Sequence, residues 1–223
     1  MIVIVGSPLA RPGDRGLHAA GLAADIGRVA ARSGAAVEVV GRVGEDAAGD
    51  AVLLDLTAAG IGHVAVLRES GRLTPATPPP SGTAAPDGPD PGTVLLADDL
   101  DTEAEPAEET GLSMDAADLE LALRYLPDYR VVIVADDLAA AALATVVAAA
   151  GWAGAHLIVL VAAGQPSTGL PTDATVLERP RHDPDGAFAR VVGSYAVALD
   201  QGREPGAAFS EASGAGGWAS VTN

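Results

Sequence analysis

Apolar residues along the chain change period several times, and each change marks an element. Residues 2–5 (IVIV) are four consecutive β-branched residues closed by Gly6, the pattern of a strand buried on both faces. Leu22, Ile26 and Val29 recur at helical spacing among alanines and glycines, predicting a helix over 17–33 that Gly34 ends. The stretch 37–61, VEVVGRVGEDAAGDAVLLDLTAAGI, reads as strand, glycine turn, helix and stop. Val37, Val39 and Val40 suit the strand, and Gly41 and Gly44 the turn. Asp46 suits the N-cap, Asp50 the first turn, and Val52, Leu53 and Leu56 the apolar stripe of the helix, which Gly60 ends.

Further on, 63–67 predicts a strand, 115–126 an amphipathic helix on Leu119, Leu123 and Leu126, and 130–135 (RVVIVA) a central strand. Asp136 or Asp137 is placed to cap a helix through Ala150 that ends at Gly151. Strands follow at 155–162 and 174–177, and helices at 186–200 and 206–216. Trp152 and Trp218 sit at helix ends as expected packing anchors, and Tyr125 and Tyr129 flank the 130–135 strand. Alternating strands and helices predict a mostly parallel sheet covered on both faces. Residues 74–92 break the pattern: TPATPPPSGTAAPDGPDPG cannot bury a core and is expected to be a flexible loop within one domain spanning 1–223. A short strand is expected at 93–97 and a solvated acidic run at 98–109.

Composition narrows the chemistry. There is no cysteine, which excludes disulfides and thiolate chemistry, and all thirteen basic residues are arginine, which excludes a lysine Schiff base. The net charge of −17 opposes binding to nucleic-acid phosphates. The apolar segments near 138–150 and 156–163 are too short or interrupted to span a bilayer, and no charged leader precedes the first strand. The expectation is a cytoplasmic protein that binds neither nucleic acid nor membrane. His18, His63, His156 and His182 lack metal-ligand spacing, so no metal site is expected.

Gly41-Arg42-Val43-Gly44, Asp46 and Gly49, followed by a leucine-bearing helix and Ala59-Gly60-Ile61, resemble the N-terminal signature of the PfkB/ribokinase family of carbohydrate kinases. The resemblance covers 1–61 and 174–221 and implies a ribokinase-like three-layer α/β/α sandwich. It also implies an ATP- and Mg²⁺-dependent transfer of phosphate to a sugar or nucleoside hydroxyl. In that family a Gly-Ala-Gly-Asp-Ala-Phe motif supplies both the phosphate cradle and the catalytic base. Here the matching place is Asp183-Pro184-Asp185-Gly186-Ala187-Phe188. The register set by Ala187 and Phe188 puts Gly186 where the base belongs. A slip of one residue instead presents Asp185 as the base, with Gly186 and Ala187 in the cradle. In the other reading Asp183 and Asp185 only cap the helix. A carboxylate about 4 Å from a phosphate oxygen costs on the order of 1–4 kcal/mol, depending on solvation.

The resemblance assigns the sugar side to Ser7, Gly21 and Asp25. Arg11 stands where the family has an aspartate, and of a Gly-Gly-Lys-Gly-Ala-Asn segment only Gly21 and Ala24 remain, with Asp25 in place of the Asn. The interval between Gly6 and Pro12-Gly13-Asp14 is short for the strands of the family's lid, so the lid is expected to be reduced or absent. Its loss would bare apolar sheet surface that a second subunit can cover, giving a homodimer. Residues 212–221 resemble the adenine-side helix, with Ala215 facing the nucleotide. Taken together, the expectation is a degenerate relative, a pseudoenzyme with weak or no phosphotransfer kept as a binding or assembly scaffold. The alternative is an active ATP-dependent kinase using Asp185.

Overall fold

The computed structural model describes residues 1–14, 16–77, 112–126, 128–165, 169–181, 183 and 185–215. The four-residue runs of valine and isoleucine form the centre of the fold. β1 (Ile2–Val5) lies between β4 (Val37–Gly44) and β6 (Val131–Val134), all in parallel. β5 (Gly62–Glu69), β7 (His156–Ala162) and β8 (Thr175–Arg179) extend the sheet to the order β5-β4-β1-β6-β7-β8. Side chains alternate across the sheet, so Ile2, Ile4, Val131 and Ile133 enter one core while Val3, Val5, Val132 and Val134 enter the other.

The first core is closed by α1 (Leu22–Arg32), α2 (Ala47–Ala58), α5 (Ala187–Asp200) and α6 (Pro205–Ala215). The second is closed by α3 (Ala116–Tyr125) and α4 (Ala140–Ala153). This is the expected three-layer α/β/α sandwich on a parallel sheet. No described helix is long and apolar enough to cross a membrane.

Several local expectations change. The helix predicted from residue 17 begins at Leu22. Residues before it form an antiparallel hairpin of β2 (Leu9–Gly13) and β3 (Gly16–Ala20), separate from the main sheet. Among the described residues the lid comprises this hairpin. Two backbone hydrogen bonds, Ala10 N–H to Pro75 O and Thr77 N–H to Ala10 O, both 2.8 Å, add the 75–77 segment to its edge. Thr74, assigned to the loop, is only 6% exposed. Its hydroxyl donates to Asp46 at 2.7 Å and accepts from Gly44 N–H at 2.9 Å. The rest of the expected loop (78–92), the strand at 93–97 and the acidic run at 98–109 lie outside the described residues, as do Pro184, His182 and Trp218.

Gly41 and Gly44 are not turn residues. Both lie within β4 with φ outside the left-handed region. What they supply is room: a Cβ at Gly41 would stand 2.6 Å from Gly6 O, and one at Gly44 would meet the Arg72 carbonyl. Gly151 does not end α4; the left-handed stop is Gly154 at φ +64°. Trp152 is 92% exposed and anchors nothing, whereas Tyr129 is buried and its hydroxyl donates to Ala149 O at 3.3 Å. The Asp46 cap holds as read, with Oδ1 accepting from Gly49 N–H at 2.7 Å.

Candidate functional site

The chain runs outward from β1 to β4 and β5 on one side, and through β6, β7 and β8 on the other. The crevice where the direction reverses lies between β1 and β6, at the carboxyl ends of the strands. Open parallel sheets bind ligands at such a crevice. It is bridged by one short contact: Ser7 N–H donates to Asp136 Oδ2 at 2.6 Å. The Ser7 hydroxyl donates to Leu112 O and accepts from Arg42 N–H at 3.0 Å, so it ties three segments together.

Asp136 was expected to cap α4 and does not, since α4 carries no side-chain cap. It turns back over the end of β6 toward Gly6 and Ser7. Burial pushes its carboxyl above the usual carboxylate range, against the opposing pull of the Ser7 N–H and Arg179. Asp137, the other expected cap, is held by Arg179 through both oxygens, at 2.7 and 2.6 Å. That pair joins the ends of β6 and β8. Arg179 also donates to Ala135 O at 3.3 Å.

Two contiguous clefts open here. One, of about 350 Å³, is lined by Ser7, Leu9, Gly21, Leu112, Asp136 and Asp137 among others. The second, of about 430 Å³, runs over Ala162, Ala163, Pro180, Asp183 and Phe188 to the start of α5. Leu22 and Arg179 line both, so the clefts meet. Ser7 and Gly21 both line the first cleft. Gly21, at φ +87°, precedes α1 and lies against Leu9 of the hairpin, which sets the lid strands above the crevice.

Asp25 sits in the first turn of α1, beside the clefts rather than in their walls. It is engaged by Arg28 at 3.0 Å. Arg28 also bonds Asp55 of α2 at 2.5 Å and the Ala19 carbonyl of β3, so it pins the root of the hairpin. Burial raises the Asp25 carboxyl, opposed by the charges of Arg28, Arg11 and His18 and assisted by Asp183. Arg11, at the family's aspartate position, lies on β2 and donates to Thr77 Oγ1 at 3.2 Å.

At the start of α5 the residues part company. Gly186 adopts φ +63°, its N–H donates to Asp183 O at 3.1 Å, and Ala187 opens the helix. Asp183 Oδ2 accepts from Phe188 N–H at 3.0 Å and from Ala189 N–H at 3.3 Å. Asp185 is exposed and lines neither cleft, and its backbone carbonyl accepts from Arg190. Ala215 closes α6, and residues 216–223 lie outside the described set. Among the described residues no group of three or more His, Asp or Glu is placed to hold a metal ion.

Asp136 is the residue that sequence reasoning missed. The available signal was its place directly after a buried strand, at the carboxyl edge of a parallel sheet.

No family model matches this sequence, and no curated protein does. Solved structures do match the fold. An Escherichia coli protein described as a ribokinase II aligns at TM-score 0.63 with 14% identity, over 100% of this chain and 93% of that one. A PfkB protein from Polaromonas sp. JS666 aligns at 0.61 with 16% identity, over 96% and 94%. The Arabidopsis thaliana ribokinase, solved with ribose and ATP, aligns at 0.60 with 18% identity, over 96% and 90%. The fold is thus that of the ribokinase/PfkB sugar kinases.

Proposed function

We propose that this chain is a degenerate ribokinase-like protein that binds a small neutral sugar or nucleoside in the β1–β6 crevice and has weak or no phosphotransfer. The observation that carries this reading is the position of Asp185. The one carboxylate that a shift of register could offer as a base is exposed and outside both clefts, and the resemblance through Ala187 and Phe188 puts Gly186 at the base position. A general base must come within hydrogen-bond reach of the proton it takes.

Asp136 has an acceptor oxygen beyond the one used by Ser7, and it lines the 350 Å³ cleft beneath the hairpin. A polyol hydroxyl that donates to Asp136 would be shielded by Leu9 and Leu22. At the start of α5 the Phe188 and Ala189 N–H groups already serve the Asp183 carboxylate, which takes two donors away from any phosphate there. A scaffold role, as a monomer or homodimer, follows if binding rather than turnover is what persists.

The second reading, an active ATP- and Mg²⁺-dependent kinase with Asp185 as base, draws on the solved structures that align along nearly all of the chain. One E. coli match is a complex with ATP and Mg²⁺. A thermal-shift titration separates the two readings. A neutral sugar or nucleoside should raise the melting temperature of the wild type, and ATP·Mg²⁺ should not. Turnover on a sugar panel that disappears in Asp185→Asn would overturn the degenerate reading.

A further inference from the structure

Among the described helices α4 alone carries no Asp, Glu, Arg or His; it reads AAALATVVAAAGWA. Its inner face packs on the sheet, where Ala142, Val146 and Ala150 are buried. Its outer face is Ala140, Ala141, Ala144, Ala148, Gly151 and Trp152, all exposed. The one polar side chain of the helix, Thr145, donates its hydroxyl to the Ala141 carbonyl at 3.2 Å and asks nothing of a partner. A helix that is apolar all round is normally covered on every side. Here one side is bare. Elsewhere exposed apolar residues stand beside charges: Leu54 precedes Asp55, and Leu73 follows Arg72.

We propose that the outer face of α4 is the interface of a homodimer, in which two copies of this chain pair antiparallel through this helix. Charge is the first reason that a second copy fits. The chain carries −17, so two copies repel wherever acidic surfaces meet, and they approach at least cost where neither presents a charge. Symmetry is the second. The exposed positions are arranged evenly about Val146: Ala140 matches Trp152, Ala141 matches Gly151 and Ala144 matches Ala148. A two-fold axis there lays each exposed residue against an exposed one, as an isologous contact requires. Trp152 of each copy then covers Ala140 of the other, and the alanines let the helix axes approach closely. The helix is ~21 Å long, and Trp152 can bury about 150–250 Å². Five small residues and one tryptophan fall short of the ~800 Å² per partner of a standard interface, so the dimer is weak and concentration-dependent. This interface differs from the sheet-to-sheet dimer that loss of a lid implies. None of its residues lines either cleft, so it is independent of the sugar reading.

The test is sedimentation velocity from about 10 μM to 1 mM protein, with every variant checked for folding by circular dichroism and thermal melting. Wild type is expected to move from monomer toward dimer across this range. Ala148→Glu puts a carboxylate near the two-fold axis and should stay monomeric, and Trp152→Ala should associate at least about tenfold more weakly. Leu54→Glu adds the same charge on α2 and should associate as wild type does. If Ala148→Glu fails to fold, Trp152→Ala decides. The chain has no cysteine, so introduced ones report the register. Antiparallel pairing sets residue 144 against 148 and separates like positions by ~6 Å along the axis. A mixture of Ala144→Cys and Ala148→Cys under mild oxidation should therefore form the mixed disulfide in preference to either symmetric one. A wild type that stays monomeric at the highest concentration would overturn the proposal, as would an Ala148→Glu variant that dimerises normally or a Leu54→Glu variant that is equally disrupted. Predominance of the symmetric disulfides would overturn the antiparallel pairing. A monomeric wild type that floats with phosphatidylcholine vesicles, and loses this in Ala148→Glu, would give the face to a lipid surface instead.

Discussion

Ser7 and Asp136 close the crevice between the two central strands: the Ser7 backbone N–H, just past the end of β1, donates at 2.6 Å to the Asp136 carboxylate just past the end of β6. The residues stand 129 apart in sequence and become neighbours only because β1 and β6 pair in parallel.

From that relationship comes a prediction on pH. Burial raises the folded-state pKa of Asp136 above its ordinary 3.8. The folded protein then keeps this proton over a window in which the unfolded chain has released it. The contribution is fully present below the unfolded value and is lost as the pH rises through the folded one. Asp136→Asn is neutral throughout and can still accept from Ser7, so its stability relative to wild type should increase as the pH rises from about 4 toward neutrality. Urea denaturation across that range measures it. The same variant should bind a neutral sugar more weakly, and a relative stability that stays flat or falls with pH counts against the raised carboxyl.

Asp46 titrates with the opposite sign. The Thr74 hydroxyl, with help from the Gly49 and Thr74 N–H groups, holds its carboxyl below the ordinary 3.8. This stability is present above the unfolded value and is lost as the pH falls through the folded one, so acid below about pH 4 should weaken the junction of β4, α2 and residue 74. Asp46→Ala removes the cap and strands a buried hydroxyl. A loss of about 1–3 kcal/mol is expected, read as a drop in thermal midpoint of roughly 2–4 °C per kcal/mol.

Two glycines should respond oppositely to alanine. At Gly41 the new Cβ would stand 2.6 Å from Gly6 O and 2.9 Å from the Ser7 Cα, backbone atoms at the rim of the site that cannot step aside cheaply. Gly41→Ala should cost about 1–3 kcal/mol or more. Gly151 lies inside α4 with nothing within 4 Å of the added carbon, and Gly151→Ala should stabilise by roughly 0.5–1 kcal/mol. Denaturant midpoints of the two variants would reveal whether close approach, rather than backbone conformation, explains Gly41.

Arg28 is expected to govern the hairpin. It joins Asp25, Asp55 and the Ala19 carbonyl, and Ala19 N–H also donates to Asp55 at 3.0 Å. Arg28→Met keeps the aliphatic stem and removes the charged head. Faster hydrogen exchange confined to β2 and β3, with the central strands unchanged, is the expected result. Uniform protection across both would show that the hairpin is held by its packing on α2 instead.

Much of the fold was legible in local pattern. Uninterrupted runs such as IVIV and VVIV are tolerated only where both faces of a strand are covered, so they announced a buried parallel sheet without coordinates. The Asp46 cap is also local, since donor and acceptor lie three residues apart. Residues 16–20 misled because GLHAA is short and rich in small side chains. Such a segment becomes a strand only when Leu9–Gly13 lies opposite it.

The sequence by itself determined the layers, the strand runs and the charge, because these follow from period and composition. The tertiary structure alone decided the roles of Gly41, Asp136 and Arg179. Their partners lie on other strands, and no local rule tells a carboxylate that caps its own helix from one that turns back to a distant amide. Asp183 stands between the two cases. A capping aspartate was visible, but the left-handed turn at Gly186 is what carries its charge onto the amides of α5 and into the wall of the cleft.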